Sequence, residues 1–353
     1  MRLPPKIDPA ATAASAGAST PEPEPVPVLV LGASGRIGQV LRQTCAAAAD
    51  RSDLLWRWQA RRAPQNKPQN ATETETGAED WHLLDPLAMP DALAQAARGT
   101  RAILCLAGPV PGGRAGATAE PELLRQHSTL ALATLEAAAR AAEQTGHPPH
   151  VFLASSAAVY GAATGLLRED QPLMPLSPYG RAKAEMEQAA LARAAELGLP
   201  LTQLRIGNIA GLDAILGGWR PGFCLDRFPT GLSPQRSYIG AARLAEVLIW
   251  LLRTGARADG DTPQSALPQV LNIAQPGPVE MAALLRAADL PYDTRPAPTG
   301  ALPEVALDVS RLIGLLAPKA TSAPPPWAKP ALPQADPAEL VAEARALQLL
   351  PAR

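Results

Sequence analysis

Val26-Pro27-Val28-Leu29-Val30-Leu31-Gly32-Ala33-Ser34-Gly35-Arg36-Ile37-Gly38 is the stretch that decides the fold. Val26 to Leu31 is a short apolar run that reads as a strand, and a helical stretch to about Ala49 follows the turn. The turn has the spacing Gly32-x-x-Gly35-x-x-Gly38. Glycines at these places allow a tight bend and close backbone approach to a pyrophosphate, which the positive end of the helix attracts. A glycine-rich turn without a ligand has the same spacing, so the strand–loop–helix setting is what gives the motif its weight.

Working outward, the same rhythm repeats. Leu54 to Gln59, Trp81 to Leu84, Ala102 to Ala107, Val151 to Ser155 and Leu201 to Ile206 read as strands. Ala88 to Arg98, Glu120 to Gln144 and Pro178 to about Leu197 read as helices between them. Short apolar strands alternating with helices imply a parallel sheet covered on both faces. After Asn208 the rhythm breaks, with helices expected at Ala241 to Arg253, Val279 to Asp289, Asp308 to Leu316 and Pro337 to Leu349, and a strand at Val270 to Ala274. The expected division is a Pro/Ala-rich, disordered tail over 1–25, a dinucleotide-binding domain over 26–210, and a small lobe over 211–353 that is partly interleaved with it and carries a Pro-rich tail. The polar stretch Ala63 to Asp80 is expected to be a mobile loop.

Composition narrows the classes. A net charge of −1 and only 4% aromatic residues speak against nucleic acid and against an anionic membrane. No apolar run reaches transmembrane length, and the first 25 residues lack a signal-peptide pattern, so a soluble cytoplasmic protein is expected. Cys45, Cys105 and Cys224 are odd in number and far apart, which fits neither a disulfide framework nor zinc. His147 and His150 straddle two prolines with no third ligand nearby, so no metal is expected.

Ser177-Pro178-Tyr179-Gly180-Arg181-Ala182-Lys183 carries the chemistry. Ser177 suits a helix N-cap and Pro178 the first helical position. Tyr179 and Lys183 then lie one turn apart on one face. An ammonium near a phenol lowers the phenol pKa, so the tyrosine can exchange a proton with an alcohol or carbonyl. An ordinary amphipathic helix would look the same.

At the end of the second strand, Gln59-Ala60-Arg61-Arg62 contains no acid to accept from ribose hydroxyls. Arg61 can instead pair with a 2′-phosphate, which favours NADP(H) over NAD(H). A solvated strand end is the plain alternative. Asp85, ending the third strand, is placed to meet the adenine amino group or to cap the next helix.

Taken together, the chain resembles the extended short-chain dehydrogenases/reductases, the NAD-dependent epimerase/dehydratase family, which have a Rossmann-type α/β fold with a small C-terminal substrate lobe. The resemblance rests on Gly32 to Gly38, Leu106-Ala107-Gly108, Ser155 to Gly161, Pro178 to Lys183, Arg205 to Gly211, Arg236 to Gly240, Leu271 to Ala274 and Asp308 to Leu312, in the family's order. It implies a catalytic set of Ser156, Tyr179 and Lys183, with Ser155 as second choice for the serine. It implies cofactor contacts from Gly32, Ser34, Gly35, Arg36, Ile37, Gly38, Leu106, Ala107, Gly108 and Lys183, together with Arg61 and Asp85. Asn208 and Arg236 match positions that meet the substrate diphosphate in nucleotide-sugar enzymes.

Departures from the family matter too. Ser156-Ala157-Ala158 stands where dehydratases resemble Thr-Asp-Glu, which argues against water elimination. His127 stands where many relatives have an Asn, and Gly240-Ala241-Ala242 lacks the usual acid after the Tyr-Ile motif. The segment from Asn208 to Arg236 is short for a nucleotide-sugar epimerase, so a smaller substrate or a pocket rebuilt by Trp219, Phe223 and Phe228 is expected. The resulting expectation is NAD(P)-dependent hydride transfer at a carbinol or ketone carbon. A reductase is favoured, a nucleotide-sugar epimerase is the alternative, and a non-catalytic dinucleotide sensor is the reading from another class. A small-molecule substrate and a homodimer are the expected partners.

Overall fold

A computed structural model describes residues 24–47, 53–63, 80–109, 120–257, 267–317 and 330–351. The expected tail before residue 24, most of the polar loop after Ala63, and residues 318–329 of the Pro-rich tail lie outside the described residues.

Along the chain the large domain runs β1 (Val26–Leu31), α1 (Arg36–Ala47), β2 (Leu54–Ala60), β3 (Asp80–Leu83), α2 (Pro90–Ala97), β4 (Ala102–Cys105), α3 (Glu120–Thr145) and β5 (His150–Ser156). Next come β6 (Leu166–Leu167), α4 (Pro178–Leu197), β7 (Leu201–Ile206), β8 (Asn208–Ile209), β9 (Cys224–Arg227), β10 (Gln235–Ile239) and α5 (Ala241–Ala256). The chain closes with β11 (Val270–Ile273), β12 (Pro278–Glu280), α6 (Met281–Ala287), β13 (Asp293–Pro296), β14 (Glu304–Leu307), α7 (Ser310–Leu316) and α8 (Pro337–Ala346).

Seven parallel strands form one sheet in the order β11-β7-β5-β4-β1-β2-β3. The expected Rossmann-type doubly wound sheet is therefore present. Alternate residues of β1 serve opposite faces. Val28 and Val30 pack with α5 residues such as Leu244 and Leu248, whereas Leu29 and Leu31 pack with Leu135 and Ala138 of α3 and Met186 of α4. Both faces are thus covered by helices, which is why these strands read as unbroken apolar runs.

The strand order reverses between β1 and β4, which opens a crevice at their carboxyl ends. There Leu106 N–H donates to the Leu31 carbonyl at 2.9 Å, closing the floor of the crevice.

The later half of the chain belongs to both units. α5 packs on α1 and β11 forms an edge of the large sheet. A second sheet, β12-β10-β14-β6 with β8 beside β10, and the pair β13-β9 make the small lobe. Residues 279–289, expected to be one helix, instead enter β12 (Pro278–Glu280) before α6 (Met281–Ala287). Glu280 takes an extended backbone (φ −69°, ψ 127°), because β12 pairs with β10 before the helix can begin.

Candidate active site

The glycine turn is shaped by what it touches. Gly32 has φ +78°, and a Cβ there would stand 2.8 Å from the Ala107 nitrogen. At Gly38 a Cβ would stand 2.6 Å from Ala33 Cα. The turn is thus a tight cradle in which glycine lets the backbone pack directly on Ala107 and on Ala33. Buried Gln59 fastens it. Its Oε1 accepts from Gly32 N–H at 2.9 Å, and its Nε2 donates to the Leu84 carbonyl at 2.6 Å. The sequence reading missed this brace, for which an amide inside an apolar strand end was the available signal.

Around the crevice, Arg61 lies exposed in the bend after β2. Asp85 accepts from Leu87 N–H at 2.9 Å and Ala88 N–H at 3.3 Å, so one carboxylate oxygen organises the turn ahead of α2. Leu106 and Ala107 lie against the glycine turn at Gly32, and Gly108, at φ +148°, lies against the His127 ring, 2.6 Å separating its would-be Cβ from Nδ1. Ser34, Gly35, Arg36 and Ile37 complete the turn and open α1, and the Arg36 side chain runs to the Gly211 and Leu212 carbonyls.

Ser156, Tyr179 and Lys183 converge at the end of β5. Ser156 caps a 3₁₀ turn over Ala157–Val159, its Oγ accepting from Ala158 N–H at 3.2 Å. Ser177 caps α4 by accepting from Gly180 N–H at 3.0 Å, and Gly198 ends the helix in the left-handed region. A Cβ at Gly180 would collide with the Ala158 carbonyl, so this glycine lets the first turn of α4 lie against the Ser156 turn.

The electrostatics differ from the sequence expectation. Burial pushes the Tyr179 phenol above its ordinary pKa, and the Ser156 hydroxyl beside it pulls the other way. Lys183 does not lower it. Its ammonium lies 5.9 Å from the phenol ring centroid and donates to the Ala154 carbonyl at 2.7 Å. Burial holds Lys183 itself down to about 8, opposed by Cys105 and Glu187. In this arrangement Lys183 tethers α4 to β5 rather than acting on the phenolic oxygen.

Ser155 is committed elsewhere. It donates to Glu187 Oε1 at 2.5 Å, and Glu187 pairs with Arg205 at 2.8 Å, both nearly sealed from solvent. Arg205 donates to the Tyr160 hydroxyl at 2.9 Å, which donates to Asn272 Oδ1 at 2.7 Å. This network joins α4 to β5, β7 and β11 directly behind the candidate site. It was not anticipated, although Glu187 one turn after Lys183 on a buried helix face is a readable signal.

His127 of α3 lies against Tyr179 and is 2% exposed. Neither ring nitrogen makes a hydrogen bond of ordinary geometry among the described residues, and the Pro109 carbonyl acts on the ring only weakly. The glycine cradle and this orphaned imidazole fit a bound dinucleotide, which would fill the first and supply polar atoms near the second.

In the small lobe, Asn208 and Arg236 lie on the paired strands β8 and β10. Arg236 donates to the Gln235, Leu302 and Pro303 carbonyls, and no carboxylate among the described residues pairs with it. Trp219 is buried in the small-lobe core with Phe223 packed beside it, and its Nε1 donates to the Pro291 carbonyl at 2.9 Å. Phe228 is half-buried.

Residues 28–216 match the family model for the NAD dependent epimerase/dehydratase family. The chain belongs to that family. A UDP-glucose 4-epimerase from Azospirillum brasilense is 44% identical over 64 residues, and the match spans 18% of this chain and 18% of that protein. Two similar solved structures show the same fold along nearly the whole chain. A UDP-glucose 4-epimerase from Stenotrophomonas maltophila, with bound NAD and a formylated UDP-arabinopyranose, is 19% identical. It covers 92% of this chain and 99% of its own, with a TM-score of 0.66. A short-chain dehydrogenase/reductase superfamily protein from Agrobacterium tumefaciens with bound NAD is 17% identical, covering 92% of this chain and 98% of its own at a TM-score of 0.64. Among the described residues of this family member, no helix is long and apolar enough to cross a membrane.

Proposed function

We propose that this protein is an NAD(P)-dependent oxidoreductase acting at a carbinol or ketone carbon. The observation that carries the reading is the convergence of Ser156, Tyr179 and Lys183 beside the glycine cradle. A bound nicotinamide dinucleotide would supply or accept the hydride. Gly32, Gly35 and Gly38 with Ser34, Arg36 and Ile37 would hold its pyrophosphate, and Leu106, Ala107, Gly108 and Asp85 would line the rest of its course. Tyr179 would hold or release the proton at its phenolic oxygen, Ser156 would fix the reacting substrate oxygen, and Lys183 would hold the nicotinamide ribose. The raised phenol keeps Tyr179 protonated near neutral pH, which suits the direction in which a ketone gains a proton.

Arg61, exposed at the end of β2 and without an acid beside it in sequence, supports NADP(H) and thereby a reductase. A nucleotide-sugar epimerase is the second reading. It is supported by the 4-epimerase relatives and by Arg236, whose guanidinium meets carbonyls alone and suits a substrate phosphate. In either case residues of the 211–353 segment and Asn208 would receive the substrate.

The test is a fluorescence titration with NADPH and NADH, repeated for Tyr179→Phe and Arg61→Asp. The expected result is binding retained and turnover lost at least 100-fold in Tyr179→Phe, with NADPH preference abolished in Arg61→Asp. Undiminished turnover in Tyr179→Phe sinks the catalytic assignment, and an unchanged preference in Arg61→Asp sinks the cofactor argument. A dinucleotide sensor would show binding with no turnover in the wild type.

A further inference from the structure

We propose that Arg36 is a positioning residue that ties the dinucleotide turn to the substrate lobe, so that release of the dinucleotide requires the tie to open. The inference rests on a dinucleotide lying along Gly32–Gly38, as proposed above.

Arg36 is the first residue of α1, yet its guanidinium is fixed to the far half of the chain. Nη1 donates to the Leu212 carbonyl at 2.8 Å and Nη2 to the Gly211 carbonyl at 3.0 Å. The receiving turn is built around it. A Cβ at Gly217 would stand 2.2 Å from the Gly211 carbonyl oxygen and 2.8 Å from Arg36 Nη2, so this glycine lets its turn close on the carbonyl that receives the guanidinium. Gly211 has φ +81°, and a Cβ there would stand 2.7 Å from Leu349 Cβ and 3.0 Å from Ala344 Cβ, so the C-terminal segment backs the turn. Two carbonyls hold the cation, and no carboxylate among the described residues neutralises it. A guanidinium held this way presents an uncompensated charge beside a turn suited to pyrophosphate.

The turn leads onward to the substrate side. Asp213 accepts from Leu216 N–H at 3.1 Å and from the Tyr238 hydroxyl at 2.9 Å. Tyr238 lies two residues beyond Arg236 on β10, and therefore on the same face of that strand. Hydrogen bonds and one strand thus join Arg36 to the arginine assigned to the substrate phosphate. A tie of this kind makes the two ligand places mechanically dependent, which is the physical content of coupling between sites.

The experiment uses the full-length protein, Arg36→Ala, and Arg36→Lys, which keeps the charge but lacks the planar fork that reaches both carbonyls. Hydrogen exchange is followed at the amides of Leu212 to Gly217, and release of NADPH and NADH is followed by stopped-flow fluorescence. The expected result is exchange at least 10-fold faster and release at least 5-fold faster in both variants. Unchanged exchange, or faster exchange with unchanged release, overturns the inference. So does faster release in Arg36→Ala alone, which would assign the effect to charge rather than to the tie. If the wild-type protein binds neither nucleotide, the proposed function falls, and the exchange result alone decides whether Arg36 holds the lobe.

Discussion

The His127 imidazole stands edge-on to the Tyr179 phenol, with ring centroids 5.6 Å apart and planes at 74°. Burial first, and the nearby Lys183 charge second, hold His127 down to about 3, so it is neutral at any working pH. A neutral imidazole carries one donor and one acceptor, and here neither has a hydrogen bond of ordinary geometry among the described residues, the Pro109 carbonyl acting on the ring only weakly. Each buried unmade hydrogen bond costs about 1–3 kcal/mol. His127→Leu keeps the volume and removes the cost, so its urea midpoint is expected to rise, equivalent to about 1 kcal/mol. His127→Asn retains the unsatisfied groups in a smaller side chain and is expected to fall below wild type. A lower midpoint for His127→Leu would mean that the ring has a hydrogen-bond partner in solution.

The large sheet and α4 were legible because each announces itself locally. The start of α4 was read from Ser177 and Pro178 and its end to about Leu197, where Gly198 closes it in the left-handed region. The short strands of the small lobe were not legible. β6 and β8 have two residues each and β12 has three, and such strands exist only because β10 and β14 pair with them. No periodicity can appear in two residues. In the candidate site, helix spacing paired Tyr179 with Lys183 and the family resemblance added Ser156, but neither carried information about burial. Desolvation is a property of the packed state, and it raises the phenol that helix geometry alone suggested would be lowered.

The Glu187–Arg205 pair predicts a steep loss on truncation. Glu187 receives Arg205 Nε and Nη2 and the Ser155 hydroxyl, with both side chains 5% exposed or less. Removing one partner strands the other charge, at a cost of about 3–5 kcal/mol. Glu187→Ala is expected to unfold at correspondingly lower urea. Glu187→Met with Arg205→Met should recover much of that loss, because the paired charges contribute little net stability. Failure of the double variant to recover would show that the Tyr160 and Ser155 contacts matter more than the ion pair.

His150 makes the fold sensitive to acid. Thr202 Oγ1 donates to the Pro268 carbonyl at 2.8 Å, so it must accept from His150 Nε2–H at 2.9 Å. Burial lowers His150 from its ordinary 6.5 to about 4. Between those values the unfolded chain binds a proton that the folded chain does not, so stability is complete above 6.5 and falls with pH toward 4. His150→Gln removes this proton, and its stability is expected to depend less on pH in that window, by up to about 1.4 kcal/mol per pH unit. Parallel slopes for the two proteins in urea melts at pH 4 to 7 would refute the assignment.

Glu343 closes the fold from its last helix. The N-cap of α5 is Gly240, which offers no side chain as a cap, and the acid expected from the family resemblance is missing from Gly240-Ala241-Ala242. Glu343 of α8 supplies the carboxylate from a hundred residues away, accepting from Ala242 N–H at 2.5 Å and Arg243 N–H at 3.2 Å. A Cβ at Gly240 would collide with that carboxylate, so a side chain there would have to move the Glu343 carboxylate aside. A negative group at a helix N-terminus satisfies orphan donors and meets the helix dipole, typically for about 1 kcal/mol. Glu343→Ala is therefore expected to lower the unfolding free energy by about 1–2 kcal/mol, and Glu343→Gln by less because the amide oxygen still accepts. Gly240→Asp, which places an acid at the cap of α5 itself, should destabilise the wild type by steric and like-charge conflict. In the Glu343→Ala background the same change should instead restore stability. If Gly240→Asp were equally harmful in both backgrounds, α8 would not be the cap of α5.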